Sequence, residues 1–149
     1  MKADVVFSSC GLYRWYLKRQ LKKGRKTMLF IGLNPSKASV SRDDPTMKRL
    51  LSFCDRWGYG NLVVVNLFAR IGYSPRILSI TSDPIGREND DVLSIEAQKW
   101  SERPLWDLWL GWGARGSFQK RNLAVLLLLK RFCMNREIHF KEAKGPLSI

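Results

Sequence analysis

TMLFIGL, residues 27–33, decides how this chain is read: apolar side chains at Met28, Leu29, Phe30, Ile31 and Leu33 follow a basic, glycine-containing stretch and stop at Asn34-Pro35. A short apolar run closed by a turn signal is the pattern of a buried strand. A polar loop through Lys37, Ser39, Ser41 and Arg42 leads to Asp44-Pro45. There Asp44 can cap a helix, and Pro45 occupies its first position without wasting a donor. Met47, Leu50, Leu51, Cys54 and Trp57 recur at helical spacing, with Lys48, Arg49, Ser52, Asp55 and Arg56 on the other side, and Gly58 ends the element. NLVVVNLF, residues 61–68, is β-branched and apolar on both faces, as a strand between two helix layers is. Strand, helix and strand therefore form a parallel unit with a right-handed crossover.

Outward from that unit, a loop holds Ser74-Pro75 and Asp83-Pro84-Ile85-Gly86 before a more polar helical stretch over about 88–100. Residues 105–110 (LWDLWL) make a third strand, residues 118–133 a strongly buried helix, and residues 137–140 a last short strand. Trp57, Trp106 and Trp109 are assigned to the core. The fold expected is α/β: one domain over 1–149, with a mainly parallel central sheet flanked by helices. In such sheets ligands bind outside the carboxyl ends of the strands. That rule gathers Asn34, Asn66 and residues 111–116 on one rim.

Composition bounds the function. The chain has 149 residues, 45% of them hydrophobic and 11% aromatic, with six tryptophans, which is globular composition for one domain. No apolar run approaches the roughly 20 residues of a membrane span, and the first residues lack a signal-peptide core. A cytoplasmic protein is expected, with no membrane partner. Cys10, Cys54 and Cys133 form no Cys-x-x-Cys pair, so no metal site is expected and the thiols are taken as reduced and buried. No cofactor is implied.

The formal net charge is +13, from 26 Lys and Arg against 13 Asp and Glu. Two stretches without an acid concentrate it: Arg14, Lys18, Arg19, Lys22, Lys23, Arg25 and Lys26, then Arg115, Lys120, Arg121, Lys130, Arg131 and Arg136. A polyanion, above all nucleic acid, fits such a surface, and Arg14, Lys18, Lys22, Lys120 and Arg121 are its candidate phosphate contacts. The competing reading is a solvated basic face that keeps the protein in solution. Tyr13, Trp15 and Tyr16, interleaved with Arg14, suit either base stacking or packing over a sheet edge.

Several residues could carry chemistry at the rim. The Asn34 carboxamide, in Gly32-Leu33-Asn34-Pro35-Ser36, can orient a water or read a base edge; it can equally build an Asx-type turn. Asn66 sits in an apolar strand, where a buried amide must find partners or cost about 1–3 kcal/mol, so it either bonds loop backbone or faces a pocket. Gly111, Gly113 and Gly116 match Gly-x-Gly-x-x-Gly, but too late in the chain for a dinucleotide fold; a tight turn with close packing is the better reading. Gly113, Arg115 and the helix start beyond them could form an anion site. Asp44 reads as a cap, leaving Asp43 as the carboxylate able to face the rim.

In order, Tyr13-Arg14-Trp15, Gly32-Leu33-Asn34-Pro35-Ser36, Asp44-Pro45-Thr46, Trp57-Gly58-Tyr59-Gly60, Val65-Asn66-Leu67-Phe68-Ala69, Asp83-Pro84-Ile85-Gly86 with Asn89-Asp90, and Trp112-Gly113 resemble the uncharacterised DUF1643 family over roughly residues 7–125. More distantly, the strand-end asparagines look like the uracil-DNA glycosylase superfamily, an analogy of fold. That likeness implies that Asn34 positions a water, with Asp43 as the nearby carboxylate. It also implies that Asn66 reads a flipped base, that Phe68 or Tyr73 stacks on it, and that Ser36 lines the pocket. The family's His-Pro near its end has no counterpart in residues 144–149, and His139 stands several residues earlier. A leaving base would then lack its electrophile. The functions expected are a glycosylase-like hydrolase of base–sugar bonds, a non-catalytic nucleic-acid-binding module, or a nucleotide-binding enzyme.

Overall fold

The computed structural model describes residues 4–21, 24–36, 43–72 and 74–133. Five strands, β1 (Asp4–Phe7), β2 (Arg14–Gln20), β3 (Lys26–Gly32), β4 (Tyr59–Asn66) and β5 (Trp106–Leu110), form one sheet in the order β1-β2-β4-β3-β5. Four α-helices, α1 (Pro45–Arg56), α2 (Arg76–Ile80), α3 (Asn89–Glu102) and α4 (Arg121–Lys130), accompany it, with a 3-10 segment, Ala114–Lys120, before α4. The expected α/β class and the parallel unit at its centre are found. The strand expected over residues 137–140 lies outside the described residues.

The sheet is mixed where a mainly parallel one was expected. β3 runs parallel to β4 and to β5, but β2 pairs antiparallel with both β1 and β4. The error arose in residues 14–20, whose charge masked their strand character. Leu17 is wholly buried there, while Lys18 and Arg19 reach acids brought in from elsewhere in the chain.

Strand alternation divides the core in two. Met28 and Phe30 of β3, with Leu62 and Val64 of β4, point to one face and meet Met47, Leu50 and Cys54 of α1. Leu29, Ile31, Val63 and Val65 point to the other and meet Leu93, Ala97 and Trp100 of α3 and Val125, Leu128 and Leu129 of α4. The amphipathic spacing of α1 is thus realised. Asp44 caps the helix by accepting from the Met47 amide at 2.8 Å, and Gly58 leaves it with φ +78°, a conformation only glycine adopts freely.

Two expectations about the core change. Trp57 is 45% exposed, because α1 ends beside β5, the outermost strand of the sheet among the described residues. It lies on Phe53 at 5.3 Å and Trp109 at 5.6 Å, with its other face open. Likewise, α4 is buried on one side only: Leu123 and Leu127 are exposed, one turn apart. Trp106 is buried as expected, whereas Trp109 is half-buried.

At the end of the 3-10 segment, just before α4, the chain turns through two consecutive left-handed residues, Gln119 (φ 53°) and Lys120 (φ 55°). Such a conformation costs an L-residue with a side chain roughly 1–2 kcal/mol, which glycine avoids at a smaller entropic cost. Lys120→Gly should therefore stabilise the fold by about 0.5–1 kcal/mol. A thermal melt showing a lower midpoint for this variant would disprove the strain.

Candidate functional site

The parallel trio places the carboxyl ends of β3, β4 and β5 on one rim. Gly32 pairs with Asn66 and Ile31 with Leu110, and beyond the ladder the Gly111 amide still donates to Ile31 O at 2.9 Å. The chain leaves β3 toward the α1 face, and leaves β4 and β5 toward the face covered by α3 and α4. Divergence of neighbouring loops to opposite faces is what opens a crevice at a strand end.

Asn66 closes β4 with its side chain on the α1 side. Its amide oxygen lies where a Cβ on Gly32 would be, 2.9 Å away, so the glycine makes the room the amide occupies. The residue is 3% exposed, and its Nδ2 has no hydrogen-bond partner among the described residues. A buried, unmatched amide donor is unusual enough to call for an explanation.

Asn34 takes a role between the two foreseen. Its Nδ2 faces the carbonyls of Pro35, Arg70 and Gly72 at 3.4, 3.5 and 3.3 Å, long contacts that stitch the β3 exit loop to the β4 exit loop. Two backbone bonds strengthen the seam: Phe68 N to Leu33 O at 3.0 Å and Gly72 N to Pro35 O at 3.0 Å. The carboxamide builds a cross-loop clamp rather than an Asx turn, and its oxygen accepts no bond among the described residues. Ser36, half-buried, follows Pro35 in this loop.

On the opposite side of the β4 exit sits a network that sequence reasoning missed. Asn89, at the start of α3, is fully buried and donates through Nδ2 to Asn66 O at 2.9 Å and Leu67 O at 3.0 Å. Arg121, buried, donates from Nε to the same Leu67 carbonyl at 2.8 Å, and from Nη2 to the Asp90 carboxylate. Together they hold the backbone where β4 turns away from the sheet. The one signal available beforehand was the place of Asn89-Asp90 in the family pattern.

Most of the expected phosphate-contacting cations are turned inward. Arg14 is 3% exposed; burial pulls its guanidinium down to about 10, a shift that Asp44 opposes and Arg19 adds to. Lys18 bridges to the buried Glu96 of α3 at 2.9 Å, and Lys99 reaches the same carboxylate oxygen at 3.3 Å. With Arg121 also internal, only Lys120 of the five is exposed; Lys22 lies outside the described residues. Asp43 is held by Arg19 at 2.6 Å. Phe68 is wholly buried and packs against Phe118 at 5.9 Å, so it has no ring face open for a base. Tyr73 lies outside the described residues.

The glycines of residues 111–116 serve packing and a turn. A Cβ on Gly111 would come within 2.1 Å of the Phe30 ring and one on Gly116 within 2.3 Å of Trp112, while Gly113 has φ +72°. A short 3-10 segment, and not an α-helix, follows, so the expected helix-terminus field for an anion is missing. Arg115 stays exposed on that segment. Tyr13 and Trp15 stack at 5.6 Å against Gly86, and the Tyr13 hydroxyl donates to Asp83 O at 2.7 Å, which is packing over a loop.

The thiols are free but not uniformly buried. Cys54 is buried, which pushes its thiol up to about 11; Cys10 is exposed, and its bond with Ser8 lowers it. Among the described residues no helix is long and apolar enough to cross a membrane, and no three His, Cys, Asp or Glu side chains cluster to hold a metal. A family model described as "Protein of unknown function (DUF1643)" matches residues 14–146. No curated protein and no solved structure matches the chain.

Proposed function

This chain belongs to the DUF1643 family, and on that premise we propose that it is a nucleic-acid-associated domain that reads an unpaired or extruded base at the β3–β4 rim. The observation that carries the reading is Asn66: a carboxamide at a strand end, almost wholly buried, with a donor that no described residue satisfies. Leaving it there costs about 1–3 kcal/mol, which a ligand acceptor would recover. A base edge, offering alternating donors and acceptors, is the ligand class that matches a carboxamide.

The chemistry such a pocket would perform is hydrolysis of the base–sugar bond, as in a uracil-DNA glycosylase-like fold. A water oriented by the Asn34 oxygen would bond to the sugar carbon as the base–sugar bond breaks; the electron pair of that bond leaves with the base, which takes up the proton the water gives up. A second reading, base binding without cleavage, is favoured by Asp43. Its carboxylate oxygen is already engaged by Arg19 at 2.6 Å.

The test incubates the protein with single- and double-stranded oligonucleotides carrying uracil or other altered bases, measuring binding and alkali-labile abasic sites. Asn66→Ala should weaken binding by about tenfold or more while leaving the melting temperature nearly unchanged, because it removes an unsatisfied group. Asn66→Asp, which substitutes an acceptor for the donor, should fail in the same way. Cleavage lost in Asn34→Ala would assign the hydrolase; salt-sensitive binding without cleavage would assign the binding module. Unchanged binding by both Asn66 variants would refute the base-reading site.

A further inference from the structure

On the α3 and α4 side of the same rim, α2 and the 3-10 segment wall a cavity of about 450 Å³. Its volume falls in the range of small-ligand sites. Leu78 and Phe118, both packed into the core cluster of that face, make it apolar at the base, and Arg76 and Arg115 stand on its two walls with Ser79 and Ser117 beside them. None of the described residues that line it is acidic. Neither guanidinium has an ion-pair partner among the described residues.

Arg19 is drawn to Asp43, Lys18 to Glu96 and Arg121 to Asp90, whereas Arg76 and Arg115 share one cavity with no acid among its described lining. Two guanidiniums lining one concavity with no acid beside them make it electropositive, and an anion entering between them would be stabilised there. Guanidiniums on two separate walls suit a phosphate monoester, whose three terminal oxygens spread acceptors over more directions than the two oxygens of a planar carboxylate. The serine hydroxyls already donate to backbone, Ser79 to Arg76 O at 2.9 Å and Ser117 to Ala114 O at 3.1 Å, so they remain as acceptors for ligand N–H or O–H groups.

We infer that the groove between α2 and the 3-10 segment binds a phosphate monoester carried on a flat or apolar body, a free nucleotide in size and chemistry. The phosphate sits between Arg76 and Arg115 and the body rests on Leu78 and Phe118. The Asn66 side chain lies on the opposite face of the sheet, so this site stands or falls independently of the base-reading proposal.

Calorimetric titration with adenosine 5′-monophosphate, adenosine and inorganic phosphate tests it. The monophosphate should bind at least about tenfold more tightly than adenosine, and Arg76→Gln and Arg115→Gln should each weaken it by about tenfold. Both arginines are exposed, so the variants should fold normally. Lys48→Gln, an exposed cation on α1 across the sheet, should leave the affinity unchanged. A parallel titration with short oligonucleotides, with and without a 5′ phosphate, identifies the source: tighter binding of the phosphorylated strand than of the monophosphate would make a strand end the ligand. Equal affinity for adenosine and its monophosphate, or Arg variants no weaker than Lys48→Gln, would overturn the site.

Discussion

Asn89→Asp is expected to cost about 4 kcal/mol of folding stability at neutral pH, a large share of what a domain of this size possesses. The exchange is nearly isosteric, so packing is not what it tests. Asn89 is fully buried, and its Nδ2 supplies two donors to the carbonyls of Asn66 and Leu67. An ionised carboxylate in its place has no donor and turns a buried negative charge on two carbonyl oxygens. The sign with pH follows. Burial raises the folded-state pKa of the introduced carboxyl above its unfolded value near 4, so the loss is smallest below that value and grows as pH rises through neutrality. Urea denaturation at about pH 4 and pH 7, each referenced to the wild type at the same pH, should show the difference. Equal losses at the two pH values would mean that Asn89 contributes shape and not donors.

Arg121→Met should cost about 3 kcal/mol, despite replacing a cation by an apolar side chain of similar length in a protein already rich in positive charge. A cation on a solvated face would give the opposite result, since removing one relieves repulsion. Arg121 instead donates to Leu67 O and to Asp90 from inside the molecule. Because Asn89 serves the same carbonyl, the two substitutions share a partner, and the loss in Arg121→Met combined with Asn89→Ala should differ from the sum of the single losses. A melting temperature at or above the wild type for Arg121→Met would return this residue to the surface.

These predictions concern a network that no local pattern announces, and the contrast with α1 shows why. The helix was legible because each of its determinants lies within one turn: Asp44 bonds the amide three residues on, and Met47, Leu50 and Cys54 form a stripe. The rim was legible because three apolar runs separated by helices leave few ways to pair, so their carboxyl ends fall together. Asn34 and Asn66 were placed by that argument alone. What Asn34 does there was not legible, since its carbonyl partners at Arg70 and Gly72 come from a loop 36 and 38 residues away.

By itself, then, the sequence determined the α/β class, the strand–helix–strand core, the cap and stop of α1, and the edge on which the ends of β3, β4 and β5 gather. All of these rest on hydrophobic periodicity and local hydrogen bonding, which act over a few residues. Only the tertiary structure decided the antiparallel half of the sheet, the exposure of Trp57, and above all which charges face water. Residues 14–20 read as a basic surface because their acids are remote: Asp43 comes from the loop before α1 and Glu96 from the buried side of α3. Charge neutralisation depends on three-dimensional distance and on desolvation, neither of which a linear string of residues encodes. For the same reason, the meeting of Arg76 and Arg115 on one cavity is visible only in the fold, since one comes from α2 and the other from the segment after β5.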